Sequence, residues 1–226
     1  MTVAHGYDLE EAMLDNIANS LVQCGYIVLP NALDKPFMQD LYQYSRSLPS
    51  TAWQEAGISR GRDHQIVKSI RSDKTCWLSS NHPIEKKFNS YLESLRKGLN
   101  KRLFMGLFDH ECHFSTYESG SYYKKHIDAL KGKTNRILSM VLYLNADWQQ
   151  DDGGELILYL PERKQEVIQR VLPQMGTAVL FLSEKFPHEV LKTNRQRFSL
   201  VAWFRVAESQ FLVNPIPYIA PLPFSA

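Results

Sequence analysis

An α+β fold that is mainly β, a sandwich or barrel with helices packed on one outer face, is what this chain of 226 residues predicts. Three observations lead there. Up to about Gly106 the apolar residues recur every three or four positions, the spacing of a helix face. Beyond it the chain breaks into seven or eight short strand-like runs over about ninety residues. Those runs are separated by turn residues, including Asp151-Asp152-Gly153-Gly154 and Pro173-Gln174-Met175-Gly176, the punctuation of an all-β core.

The first helix is expected over 8–25, with Asp8 as cap, Glu11 completing a capping box, and Leu9, Met13, Ile17 and Leu21 on one side. Gly25 stops it, and residues 26–29 form a short apolar strand closed by Pro30. A second helix opens near Asp34-Lys35-Pro36, carries Phe37, Leu41, Tyr44 and Leu48, and ends before Pro49. Residues 50–64 read as loop, 65–70 as strand, Arg71-Ser72-Asp73-Lys74 as a polar turn and 75–78 as strand. A third helix follows Pro83, with Ile84, Phe88, Leu92, Leu95 and Leu99 on its apolar face. Strands are then expected at 113–117, 122–128, 137–145, 155–160, 167–172, 177–182 and 198–206. The four prolines of 215–223 predict an extended tail.

Composition narrows the function classes. Lys+Arg of 26 against Asp+Glu of 24 leaves a formal charge of +2 with no basic block, so nucleic acid is not an expected partner. No apolar run approaches a membrane span, and the acidic start (Asp8, Glu10, Glu11) does not resemble a signal peptide. Cys24, Cys76 and Cys112 form neither a CxxC pair nor a disulfide framework and read as small buried hydrophobes. A soluble protein in the reducing cytoplasm is expected.

His126 and Asp128 are two apart, so on an extended strand both side chains leave the same face. His188, placed just after Pro187 where a turn can aim it inward, offers a third ligand. Two His and one carboxylate on one face of a metal is the set that non-haem Fe(II) oxygenases use. Arg197 opens a strand that also carries Ser199, Val201 and Trp203 on its face. Inside a barrel a guanidinium needs an anion, and spacing alone leaves two options: a structural ion pair or a clamp for a dicarboxylate. Tyr143 ends a strand lining the same interior. The other histidines (His5, His64, His82, His110, His113), Glu189, Tyr122 and Tyr123 are read as loop, solvated or packing residues.

Several segments, in order, resemble the catalytic domain of the hypoxia-inducible-factor prolyl hydroxylases, within the 2-oxoglutarate/Fe(II) dioxygenases. They are Tyr123-Lys124-Lys125-His126-Ile127-Asp128, Tyr143-Leu144-Asn145-Ala146-Asp147-Trp148, Gly153-Gly154-Glu155-Leu156, Pro187-His188-Glu189-Val190 and Arg197 through Trp203. Ile70-Arg71-Ser72-Asp73-Lys74-Thr75-Cys76-Trp77 is similar to that family's substrate-covering loop.

The resemblance implies a double-stranded β-helix (jelly-roll, cupin-like) core at 106–207. Residues 1–105 would be helical support with the covering loop and 208–226 an extended tail, all within one catalytic domain. It implies His126, Asp128 and His188 as Fe(II) ligands, with Arg197 and Tyr143 on the distal carboxylate of 2-oxoglutarate. Tyr117, Leu156 and Val190 would line that pocket, Trp203 would sit near iron and the substrate mouth, and Arg71 and Asp73 would close over a peptide. The expected activity is prolyl 4-hydroxylation of a protein or peptide, with a translation factor as the substrate suggested by similar single-domain proteins. Ascorbate is an optional reductant. Two alternatives stay open: the same chemistry on a small molecule or free amino acid, and a non-catalytic barrel that binds a metabolite or protein. A zinc hydrolase on the same ligands lacks an obvious general base.

Overall fold

A computed structural model describes residues 9–57, 65–130, 134–163 and 165–207. Asp8, His5, Gly61, His64 and the proline-rich tail lie outside the described residues.

Among the described residues, two antiparallel sheets face one another, and three helices cover the outer side of the larger. The helices are α1 (Glu11–Gln23), α2 (Lys35–Ser47) and α3 (Pro83–Leu103). The strands are β1 (Tyr26–Leu29), β2 (Gln54–Glu55), β3 (Lys74–Trp77), β4 (Leu107–Tyr117), β5 (Tyr123–His126), β6 (Arg136–Tyr143), β7 (Leu156–Tyr159), β8 (Val167–Val171), β9 (Ala178–Leu182), β10 (His188–Val190) and β11 (Arg197–Val206). The seven-stranded sheet runs β1-β9-β6-β11-β4-β3-β2, and the four-stranded sheet runs β5-β10-β7-β8. No described helix is long and apolar enough to cross a membrane.

The helix ends follow local chemistry. Asp34 caps α2 by accepting from Phe37 N–H at 2.8 Å, and Pro36 sits in the first turn, where it forfeits no helix bond. The cap of α1 differs from expectation: it is Glu10, whose side chain makes no capping bond. Gly25 ends α1 at φ 80°, and its N–H reaches the carbonyls of Ser20 and Leu21, a left-handed turn that a glycine takes without strain.

Alternation along three central strands divides the interior in two. From β6, β9 and β11, Leu138, Met140, Leu142, Ala178, Leu180, Phe198, Leu200, Ala202 and Phe204 point to the helices and join Ile17, Phe37, Phe88 and Leu95 in one core. The alternate residues face the smaller sheet, where Val141, Tyr143, Val179 and Phe181 pack with Tyr117, Leu156, Leu158 and Val190.

Several expectations need correction. Residues 65–70 are not a strand. Val67 O accepts from Ile70 N–H and Arg71 N–H, so the turn falls here, and the segment designated a turn leads directly into β3. Ile66 stays 55% exposed: its β-branched shape favours a strand, but it belongs to no strand among the described residues. His110 lies inside β4 rather than in a loop, because that strand begins at Leu107. Cys24 is exposed at the end of α1, while Cys76 and Cys112 are buried as expected. β2 and the three-residue β10 were too short to show any period of their own.

Candidate metal and co-substrate site

Antiparallel pairing, rather than a turn, brings the two histidines together. β10 lies between β5 and β7, and His188 is directly opposite His126 in the register. Their rings sit 4.2 Å apart between centroids. β5 ends at His126, so Asp128 belongs to the bend beyond it and not to the strand itself. The bend still delivers the carboxylate: Asp128 Oδ1 is 3.5 Å from His126 Nε2 and 3.6 Å from His188 Nε2. One donor atom from each of the three residues lies within 4.8 Å of the other two.

Hydrogen bonds behind each side chain leave those donor atoms free. His126 Nδ1 lies 2.8 Å from Lys124 O, and His188 Nδ1 lies 3.0 Å from Phe186 O. A carbonyl only accepts, so both Nδ1 atoms carry a proton and each ring turns its Nε2 toward Asp128. Burial, reinforced by the neighbouring His126, pushes His188 down to about 4, which keeps its imidazole neutral near pH 7. Asp128 Oδ2 accepts from Ser139 Oγ at 2.7 Å and from Trp203 Nε1 at 3.0 Å, leaving Oδ1 for the centre. Burial opposes its charge, but the positive charge of His188 when protonated, the interaction with His126 and the Ser139 hydroxyl outweigh that and hold the carboxyl well below the usual range. Two imidazole nitrogens and one carboxylate oxygen suit a divalent transition metal.

Arg197 begins β11 on the same strand face as Ser199, Val201 and Trp203, and is 1% exposed. Its Nε donates to Gly154 O at 3.0 Å, and its guanidinium lies 4.8 Å from the Tyr117 ring and 5.0 Å from that of Tyr143. Gly154 is required at that contact. Its φ is +68°, and a Cβ there would meet Arg197 Cδ at 3.0 Å. Among the described residues no carboxylate forms an ion pair with Arg197, the arrangement expected of a clamp rather than of a structural ion pair. The Tyr143 hydroxyl is buried and makes no hydrogen bond among the described residues. Burial pushes that phenol up to about 12, with the Arg197 charge opposing. Tyr117, Leu156 and Val190 pack in the same inter-sheet cluster. A buried fork cation beside an unused phenol fits the carboxylate end of a small acid.

Arg71 and Asp73 are joined by a bidentate pair, Nε–Oδ1 2.7 Å and Nη2–Oδ2 2.6 Å. The Arg71 guanidinium also lies 4.2 Å from the Tyr123 ring, and that ring stacks on His126 at 3.5 Å. Tyr123 therefore braces a donor, a role that its classification as a packing aromatic missed. Arg136 was missed as well. It lies 3.4 Å from the Trp203 ring and pairs with Glu111 at 2.7 Å; burial lowers its pKa to about 10. Glu189 is not simply solvated, since Tyr159 OH donates to it. His113 is buried against Trp77 and Trp203. Two surface cavities of about 290 and 210 Å³ are lined by no triad residue, although the smaller touches Arg71 and Asp73.

Residues 112–205 match the model of the 2OG-Fe(II) oxygenase superfamily. A prolyl-4-hydroxylase of Pseudomonas putida is 32% identical, superposes with a TM-score of 0.77, and is covered over 100% of its length by 86% of this chain. The chain belongs to the 2OG-Fe(II) oxygenase superfamily. This oxygenase therefore uses Fe(II) and 2-oxoglutarate, and its two facing sheets are the double-stranded β-helix that the resemblance implied. A prolyl hydroxylase of Trichoplax adhaerens, solved with a hypoxia-inducible-factor peptide fragment, is 25% identical at a TM-score of 0.76, over 90% of this chain and 93% of that one. Human Egl nine homolog 1 is 24% identical over 204 residues, which are 87% of this oxygenase but 47% of that protein. The chain thus spans about half the length of that curated relative.

Proposed function

We propose that this oxygenase hydroxylates prolyl residues in a protein or peptide, with His126, Asp128 and His188 holding the iron. Fe(II) with 2-oxoglutarate supplies O₂-dependent hydroxylation of an unactivated C–H bond, releasing succinate and CO₂. The chain's own residues prepare that chemistry. His126 Nε2, His188 Nε2 and Asp128 Oδ1 present three donors on one side, leaving the other side to the co-substrate. Arg197 and Tyr143 take the distal carboxylate of 2-oxoglutarate, in a pocket walled by Tyr117, Leu156 and Val190.

The observation that carries this reading is Arg197: buried, without an ionic partner among the described residues, and set between two phenol rings. Support for a prolyl substrate comes from the Pseudomonas and Trichoplax relatives. Support for an extended one comes from the half-exposed Trp77, which continues the aromatic wall of His113 and Trp203 outward from Asp128. Arg71 and Asp73 would form the covering edge of that substrate site, braced on Tyr123. The reaction belongs in the cytoplasm, and a translation factor is the first substrate class to screen.

The test is mass spectrometry of a proteome digest and of proline-containing peptides incubated with enzyme, Fe(II) and 2-oxoglutarate. A gain of one oxygen on proline, lost in His126→Ala, is the expected result. Oxygen transfer to free amino acids alone would favour the small-molecule substrate. Absence of succinate formation with every substrate would leave a binding barrel.

A further inference from the structure

Asp128 is held from farther away than its neighbours in sequence. Ser139 Oγ donates to Asp128 Oδ2 at 2.7 Å, and Ser183 Oγ lies 2.8 Å from Ser139 Oγ. Both serines are 0% exposed. A hydroxyl has one proton to give. The Ser139 hydroxyl is the donor to Asp128 Oδ2, so its proton is committed there. The second contact must then be Ser183 Oγ–H donating to Ser139 Oγ. Proton counting fixes the direction of the chain, from Ser183 through Ser139 to Asp128, and with both serines shut off from bulk solvent each bond polarises the next.

The backbone of Ser183 serves the same centre. Its carbonyl accepts from Ala129 N–H at 3.2 Å, tying down the bend that carries Asp128, and its N–H donates to Ile137 O at 2.9 Å. Ser183 also opens the turn leading to Phe186, whose carbonyl fixes His188 Nδ1. One residue outside every ligand motif thus reaches two of the three ligands.

We infer that Ser183 is a positioning residue for the metal centre. Acting through Ser139, it keeps Asp128 Oδ2 engaged so that Oδ1 alone is presented to the cation. The role presupposes the metal-holding triad proposed above. It differs from mutual satisfaction of two buried hydroxyls, which would affect folding and nothing else.

Anaerobic calorimetric titration of the full chain with Mn(II) separates the two, alongside unfolding midpoints of each metal-free variant. Ser139→Ala should weaken Mn(II) binding by about 10–100-fold, the usual cost of losing a ligand's supporting bond. Ser183→Ala should weaken it by about 3–10-fold, as the outer link. The double variant should bind no worse than Ser139→Ala, since Ser183 has no route to Asp128 once Ser139 is gone. Ser183→Cys, a weaker donor of similar size, should fall between wild type and Ser183→Ala, and it carries the test if the alanine variant does not fold. Wild-type affinity in both Ser183 variants, or losses that add in full in the double variant, would overturn the relay while leaving the triad intact. If wild type itself takes up no Mn(II), or His126→Ala binds it equally well, the triad reading falls and the relay falls with it.

Discussion

The two faces of β6 and β11 share a backbone but have opposite contents. Toward the helices they present Leu138, Met140, Leu142, Phe198, Leu200, Ala202 and Phe204, an apolar layer without polar atoms. Toward the smaller sheet the same strands present Ser139, Tyr143, Arg197, Ser199 and Trp203, all but one of them carrying a hydrogen bond into or beside the site. The exception is the Tyr143 hydroxyl. One face of the sheet stabilises the fold, and the other holds buried polar groups, among them a phenol that makes no hydrogen bond and a cation with no ionic partner among the described residues. Substitutions on the two faces should therefore separate stability from activity.

The largest expected effect belongs to the functional face. His126→Ala should reduce 2-oxoglutarate turnover to background while shifting the unfolding midpoint of the metal-free protein little, as succinate assays and thermal melts would show. On the helix face, Phe204→Ala should cost about 3–5 kcal/mol of stability, because it empties a fully buried site. Denaturant titration checks this, and the remaining folded protein should still bind 2-oxoglutarate. If Phe204→Ala abolished binding in the folded fraction, the two faces would not be separable.

Arg197→Met sharpens the contrast because its two effects have opposite signs. It should weaken 2-oxoglutarate binding by about 100-fold or more, since a buried charge partner is lost. It should also stabilise the ligand-free protein by about 1 kcal/mol or more, since an unpaired buried cation becomes an apolar chain. Calorimetry and denaturant titration measure the two separately. A stability loss instead would mean that the cation has an anionic partner in the ligand-free chain.

His113 gives a prediction in pH. Burial pushes it down to about 4, with Arg71 and Arg136 adding to the shift and its bond to Phe114 O opposing it. In the unfolded chain its pKa is about 6.5. Between those values the unfolded chain takes up a proton that the folded chain refuses. Stability is therefore full above about pH 6.5 and falls as the pH drops toward 4, by about 3 kcal/mol over the window. His113→Phe should flatten that slope in urea titrations taken across the window, and an unchanged slope would assign the acid sensitivity to other groups.

The division between the faces was partly legible in the sequence. Short apolar runs between turn residues marked most strands, and placing Arg197, Ser199, Val201 and Trp203 on one face needed only the alternation of a strand. The triad was legible as residue types, but its assembly was not. His188 reaches His126 through a three-residue strand too short to carry a pattern, and Asp128 leaves its strand before it arrives. The supports were less visible still. Ser139 and Trp203 converge on one carboxylate oxygen from 11 and 75 positions away, and Tyr123 braces His126 through a ring stack that any strand aromatic could make. That Arg197 lacks an ionic partner among the described residues is a property of the surrounding volume, which no spacing reports.

The central claim is that the triad and Arg197 form one site, with a cation at one end and a carboxylate clamp at the other. Anaerobic titration of 2-oxoglutarate into the protein, with and without Fe(II), tests it most directly. Binding that needs Fe(II) and is lost in both His126→Ala and Arg197→Met is the expected result. Binding of equal strength without metal, or retained in Arg197→Met, would contradict it.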